Sequence, residues 1–153
     1  MSFSLTIDGL DDLKDKMGQA GDKVRQEVKK AMVKSVNKVK NTAQTLAPYK
    51  TSTLRRSIYT DVADSGFLGT ISQDSNIAMY GSFMEFGTAP HVIEPVNRKA
   101  LYWKGLAYPV RRVNHPGTAP RPFMQPALEN NIDNIKNYFT DAMQNVINFI
   151  ANQ

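Results

Sequence analysis

Apolar residues recur along this chain with two periods, and the periods divide it into elements. Residues 3–8 (FSLTID) alternate, with Phe3, Leu5 and Ile7 on one side, which predicts a short strand ended by Gly9. From Leu10 the period changes. Leu10, Leu13, Met17, Ala20, Val24, Val28, Met32, Val36, Val39, Ala43 and Ala47 follow at steps of three and four, one stripe on a long helix. Asp11, Asp12 and Asp15 stand in its first turns and lysines gather toward its C-terminal half, as the helix dipole favours. Pro48 stops the pattern, and Gly18 and Gly21 mark a weak turn where a kink or break is expected.

Residues 54–63 (LRRSIYTDVA) alternate again, with Ile58, Thr60 and Val62 opposite Ser57, Tyr59 and Asp61. Asp64-Ser65-Gly66 is a turn signal, and residues 67–72 (FLGTIS) read as the return strand of a β-hairpin. In residues 76–86 (NIAMYGSFMEF) the spacing of Ile77, Tyr80, Phe83, Met84 and Phe86 suits a short helix or irregular turn. Residues 100–103 and 106–113 are strand-like around Lys104-Gly105, with Pro109 restricting the second to an edge or a bulge. A second helical stripe runs from Phe123 to Ile150, and Pro122 and Pro126 are tolerated at its start. The expected architecture is α+β: a long N-terminal helix and a C-terminal helix packed on a small antiparallel β-sheet, in one structural domain, 1–153.

Composition narrows the chemistry. The chain has no cysteine, which removes disulfides, thiolate catalysis and cysteine-based zinc sites. Residues 1–16 hold no apolar run of signal-peptide length, and no stretch approaches the ~20 apolar residues of a membrane span. Two histidines, His91 and His115, lack metal-ligand spacing, and neither a GxSxG elbow nor a phosphate-binding P-loop occurs. Acids are sparse between residues 51 and 128, which disfavours a metal-dependent nuclease. No catalytic residue, cofactor or metal is therefore assigned. Net charge is +5, and residues 29–50 contain six lysines and no acid. Lys29, Lys30, Lys34, Lys38 and Lys40 are candidate DNA-facing residues, and a basic nucleic-acid-binding protein using this helix is the alternative function. The plainer reading is a solvated helix face. The aromatic set Tyr80, Phe83, Phe86, Tyr102 and Trp103 suits core and interface better than base stacking.

The tetrapeptide GTAP occurs at 87–90 and 117–120, and four prolines fall between Pro116 and Pro126. Each copy reads as an independent rigid turn. Residues 47–58 (APYKTSTLRRSI), 79–88 (MYGSFMEFGT) and 115–128 (HPGTAPRPFMQPAL) resemble, in order, three blocks of the head–tail joining, neck or tail-completion proteins of siphophage-type tailed bacteriophages and prophages. The resemblance covers roughly residues 10–150. Ser52 departs from it where glycine is common, and Gly81 where alanine is. It implies a non-enzymatic structural protein of the virion at the head–tail junction, present in host cytoplasm during assembly. It further implies a homo-oligomeric ring around the DNA channel, docked on tail-tube or connector proteins, with non-specific contact to channel DNA and no membrane. The residues expected at a subunit or partner interface are Tyr80, Phe83, Glu85, Phe86, Gly87 and Thr88, together with His115, Pro116, Gly117, Thr118, Arg121, Pro122 and Phe123. Rigid, glycine-pivoted segments suit interfaces because little entropy remains to be lost on docking. Glu85 is expected to accept backbone N–H groups or to pair with an arginine such as Arg121 of a neighbour. Phe123 and Leu128 are also expected to anchor the last helix in the core.

Overall fold

The computed structural model describes residues 2–6, 21–48 and 52–152. The elements are β1 (Ser2–Thr6), α1 (Gly21–Leu46), α2 (Thr53–Arg56), β2 (Ile58–Val62), β3 (Leu68–Gln73), α3 (Gly81–Phe86), β4 (His91–Ile93), β5 (Val113–His115), α4 (Met124–Glu129) and α5 (Ile132–Ala151). The α+β class is as the periodicities predicted. The chain divides into two compact units, one of residues 1–81 with 122–153, the other of residues 82–121. The expected strand end at Ile7–Gly9 and the first turns of the long helix lie outside the described residues. No helix among the described residues is long and apolar enough to cross a membrane.

In the first unit β3 is the central strand of an antiparallel sheet ordered β1-β3-β2. Phe3 and Thr60 flank Ile71 on either side, and Ile71 is buried. The stripe of α1 does what its period requires: Val24, Val28, Met32, Val36, Val39 and Ala43 are all buried. The helix lies close to the sheet because β3 carries Gly69 under it. A methyl group there would sit 2.6 Å from both Met32 Sδ and Val36 Cγ1. Helix α5 packs along α1, where Val24, Val28 and Val146 form a cluster closed by Phe67, Phe139 and Met143.

Among the described residues of this unit the buried side-chain polar atoms all have hydrogen-bond partners. Ser35, on the buried stripe, donates back to the Ala31 carbonyl at 2.8 Å. Glu27 accepts from Lys30 (2.8 Å), Lys23 (3.1 Å) and Asn145 of α5 (3.2 Å), so one carboxylate ties the two long helices together. Lys30 and Lys23 outweigh the burial that opposes ionisation, and the Glu27 carboxyl is held down to about 2.

Two expectations need correction. The strand predicted over 54–63 begins only at Ile58, because residues 53–56 coil into α2. Ser52 starts that turn at φ 58°, a left-handed backbone, and its carbonyl accepts from the Arg56 N–H at 3.0 Å. Leu54 is thereby buried, and the Arg55 carbonyl accepts from Gln44 of α1 at 3.0 Å. The C-terminal stripe, read as one helix, is broken at Asn130-Asn131 into α4 and α5. Asn131 is buried. Its amide donates to the Ala127 carbonyl (2.8 Å) and to Thr42 of α1 (2.9 Å), fixing the corner against the long helix. Phe123 and Met124 are enclosed at its start, while Leu128 is half-buried.

Candidate functional site

The second unit is built around a two-stranded arm, residues 88–118. Strand-like segments were expected at 100–103 and 106–113. The regular strands instead form nearer the root, where β4 pairs with β5 in the register His91↔His115, Val92↔Asn114, Ile93↔Val113. Farther out only Leu101 and Val110 pair, exchanging backbone bonds at 2.7 and 3.0 Å around the Lys104-Gly105 turn. Between Ile93 and Leu101 the outgoing chain has seven residues where the returning chain, between Val110 and Val113, has two. That mismatch explains the short strands: Pro95 and Pro109 withhold donors, and the extra residues leave the ladder.

At the root the two GTAP copies meet. Thr88 and Thr118 exchange both backbone hydrogen bonds, at 3.0 and 3.1 Å. Gly87 (φ 72°) and Gly117 (φ 87°) are both left-handed, and a methyl group on either would run into the carbonyl oxygen of the opposite threonine. The repeat is thus a local twofold, each copy recognising the other, and the expectation of independent turns is corrected. Its reason is cross-strand pairing, which a repeat read along the chain does not display. Gly87 also ends α3, its N–H on the Phe83 carbonyl at 2.9 Å. The Arg121 N–H closes the return on Met84 O at 2.7 Å.

Above this pair the two histidine rings face each other, centroids 5.0 Å apart. His91 Nδ1 lies 2.9 Å from the Ala89 carbonyl oxygen, and His115 Nδ1 accepts the Gly117 N–H at 3.1 Å. A cleft of about 280 Å³ opens beside His115, walled by Ile93, Leu101, Tyr102, Trp103 and Val113.

Among the interface candidates, Phe83, Phe86, Pro116, Thr118 and Arg121 expose their side chains, while Gly87, Thr88 and His115 are half-buried, as is Gly117. Glu85 is 3% exposed and Phe123 fully enclosed, so neither presents a side chain to a partner, and the Glu85–arginine pair across subunits is withdrawn. Tyr80, Pro122 and Phe123 belong to the first unit, the others to the second. The candidate DNA-facing lysines do not share one face. Lys30, Lys34 and Lys38 follow at steps of four and are exposed, while Lys29 and Lys40 are half-buried on the flank of the stripe. Two have carboxylate partners: Lys30 bonds Glu27 at 2.8 Å and Lys29 approaches Asp64 at 3.8 Å.

The hairpin around Lys104-Gly105 was legible element by element, but the basic residues it gathers were not singled out that way. Residues 95–128 contain no acid and six basic residues, a run legible in the sequence as a charge pattern.

Residues 11–87, half of the chain, match the family model HK97-gp10-like, described as "Bacteriophage HK97-gp10, putative tail-component". No curated protein and no solved structure matches the chain. The match is narrower than the resemblance over 10–150 and ends where the arm begins.

Proposed function

The chain belongs to the HK97-gp10-like family of phage tail components, and from that premise we propose that it is a non-enzymatic virion protein acting at the head–tail junction as a ring subunit. The observation that carries the reading is the family match across residues 11–87, which spans β2, β3, α3 and all of α1. The second unit supplies a physical motive for assembly. A two-stranded ribbon is marginal in water on its own. This one leaves Val92 and Ile93 uncovered, and Phe83 and Phe86 of the same unit, on α3, are 57% and 66% exposed. Contacts that close by rotation would cover such groups on every subunit.

The test mixes the purified chain with the tail-tube and connector proteins of its own phage and reads particle mass and negative-stain images. Rings or docked complexes are expected for the natural chain. The double variant Phe83→Ser/Phe86→Ser should lose them, while its unfolding changes by no more than ~0.5 kcal/mol, as for exposed positions. A chain that stays monomeric with both partners overturns the reading.

A further inference from the structure

We infer that the distal arm, residues 96–112, is a nucleic-acid-binding site, holding phosphates through its cations and exposed bases on its aromatic rings. Arg98, Lys99, Lys104, Arg111 and Arg112 are all exposed, and none takes part in an ion pair among the described residues. The Leu101–Val110 bridge gathers them: Arg98 and Lys99 precede it, Arg111 and Arg112 follow it, and Lys104 lies in the turn it closes. Three exposed rings share that segment, with Tyr102 67%, Trp103 47% and Tyr108 79% exposed. Cations interleaved with exposed aromatics form the arrangement that grips single strands, since every base offers a π-face and every nucleotide a charge. The cleft beside Trp103 gives an unstacked base a place to lodge.

Charge complementarity selects the occupant. Residues 82–121 hold six of the nineteen basic and two of the fourteen acidic side chains, leaving thirteen against twelve elsewhere. The arm unit thus carries four of the five net positive charges. A second copy of this chain is itself cationic, and outside the arm unit its twelve acids are outnumbered by thirteen bases, so it offers this tip no net opposing charge. A polyphosphate does. Helix α1 is the weaker candidate, because its candidate lysines do not share one face and two of them, Lys29 and Lys30, already lie against carboxylates. The inference is independent of the ring reading, since the free chain is what is tested.

Trp103 is the only tryptophan, so its fluorescence reports the tip directly. The full-length chain is titrated with an oligothymidylate of roughly 20 nucleotides, enough to span a typical single-strand site. Binding should quench Trp103. Five phosphate contacts give a log–log salt slope of about −3.5, a loss of roughly a hundredfold between ~50 and ~200 mM salt. The variant Arg111→Gln/Arg112→Gln should bind at least tenfold more weakly and lower that slope by about 1.4. Lys34→Gln/Lys38→Gln should change affinity less than about twofold, with unfolding temperatures of both variants as the control for folding. Three results overturn the inference: no binding at ~50 mM salt, an equal loss in the lysine variant, or polyglutamate binding as tightly with the same quench. The last would assign the tip to an acidic protein instead.

Discussion

Glu27 offers the sharpest measurement of what holds the two long helices together. Its carboxylate is nearly buried, and it is met by Lys30, Lys23 and Asn145. The hydrogen bond from Lys30 leads the effects that bring its carboxyl from 4.5 to about 2. At 1.36 kcal/mol per unit this corresponds to about 3.4 kcal/mol. The Lys30 side chain is 55% exposed, so water screens part of that, and about 2 kcal/mol is the working figure. The proposed change is Glu27→Gln, which keeps the shape and removes the charge. At neutral pH and low salt it should lower Tm by roughly 4–8 °C for a chain of this size. The pH dependence has a definite sign. A depressed carboxyl contributes stability that is fully present above its unfolded value of 4.5 and is lost as pH falls through about 2. Thermal unfolding of natural and variant chains at matched pH should therefore show a gap that shrinks across that window. Equal Tm values at neutral pH would refute the reasoning, and so would a gap undiminished at the acid end.

Two backbone substitutions test the unusual turns. Gly117→Ala should add a left-handed penalty of ~1 kcal/mol and, because its methyl meets the Thr88 carbonyl, open the Thr88–Thr118 pair. Amide exchange at Thr88 and Thr118 should accelerate, whereas Gly105→Ala, which meets nothing within 4 Å, should leave both amides protected. Ser52→Gly should raise stability by roughly 0.5–1 kcal/mol in denaturant unfolding, since φ 58° suits glycine better than serine, and a loss would refute that reading.

The stripe of α1 and the 58–73 hairpin were legible in the sequence, because each buries one side and so prints its period directly. Helix α2 was not. Leu54 fits an alternating strand pattern as well as a turn, and the deciding feature is the left-handed backbone of Ser52. That position is also where Ser52 departs from the resembled block, so the departure pointed to the right place. The break at Asn131 was hidden for a different reason. Its amide bridges to Thr42, eighty-nine residues away, and no local spacing records such a partner. The cationic tip stood in plain view as an acid-free run, but it became a site only once the Leu101–Val110 bridge folded its two halves onto each other.

The paired GTAP segments explain how such a tip can be carried without disturbing the core. The chain leaves α3 at Gly87 and comes back at Gly117, and the reciprocal Thr88–Thr118 bonds hold exit and return side by side. The Arg121–Met84 bond repeats that closure one step later. With both ends fixed at one place, what lies beyond His91 and His115 can change in length, charge or aromatic content with little demand on the residues that precede Gly87 or follow Arg121. The bulged stretch at 94–100 shows how loosely the outer ladder is constrained. The family match ends at residue 87, the last position before the Thr88–Thr118 pair. The glycines are the fixed part of the device: either one, given a side chain, collides with the partner copy, so the repeat tolerates change in neither half alone.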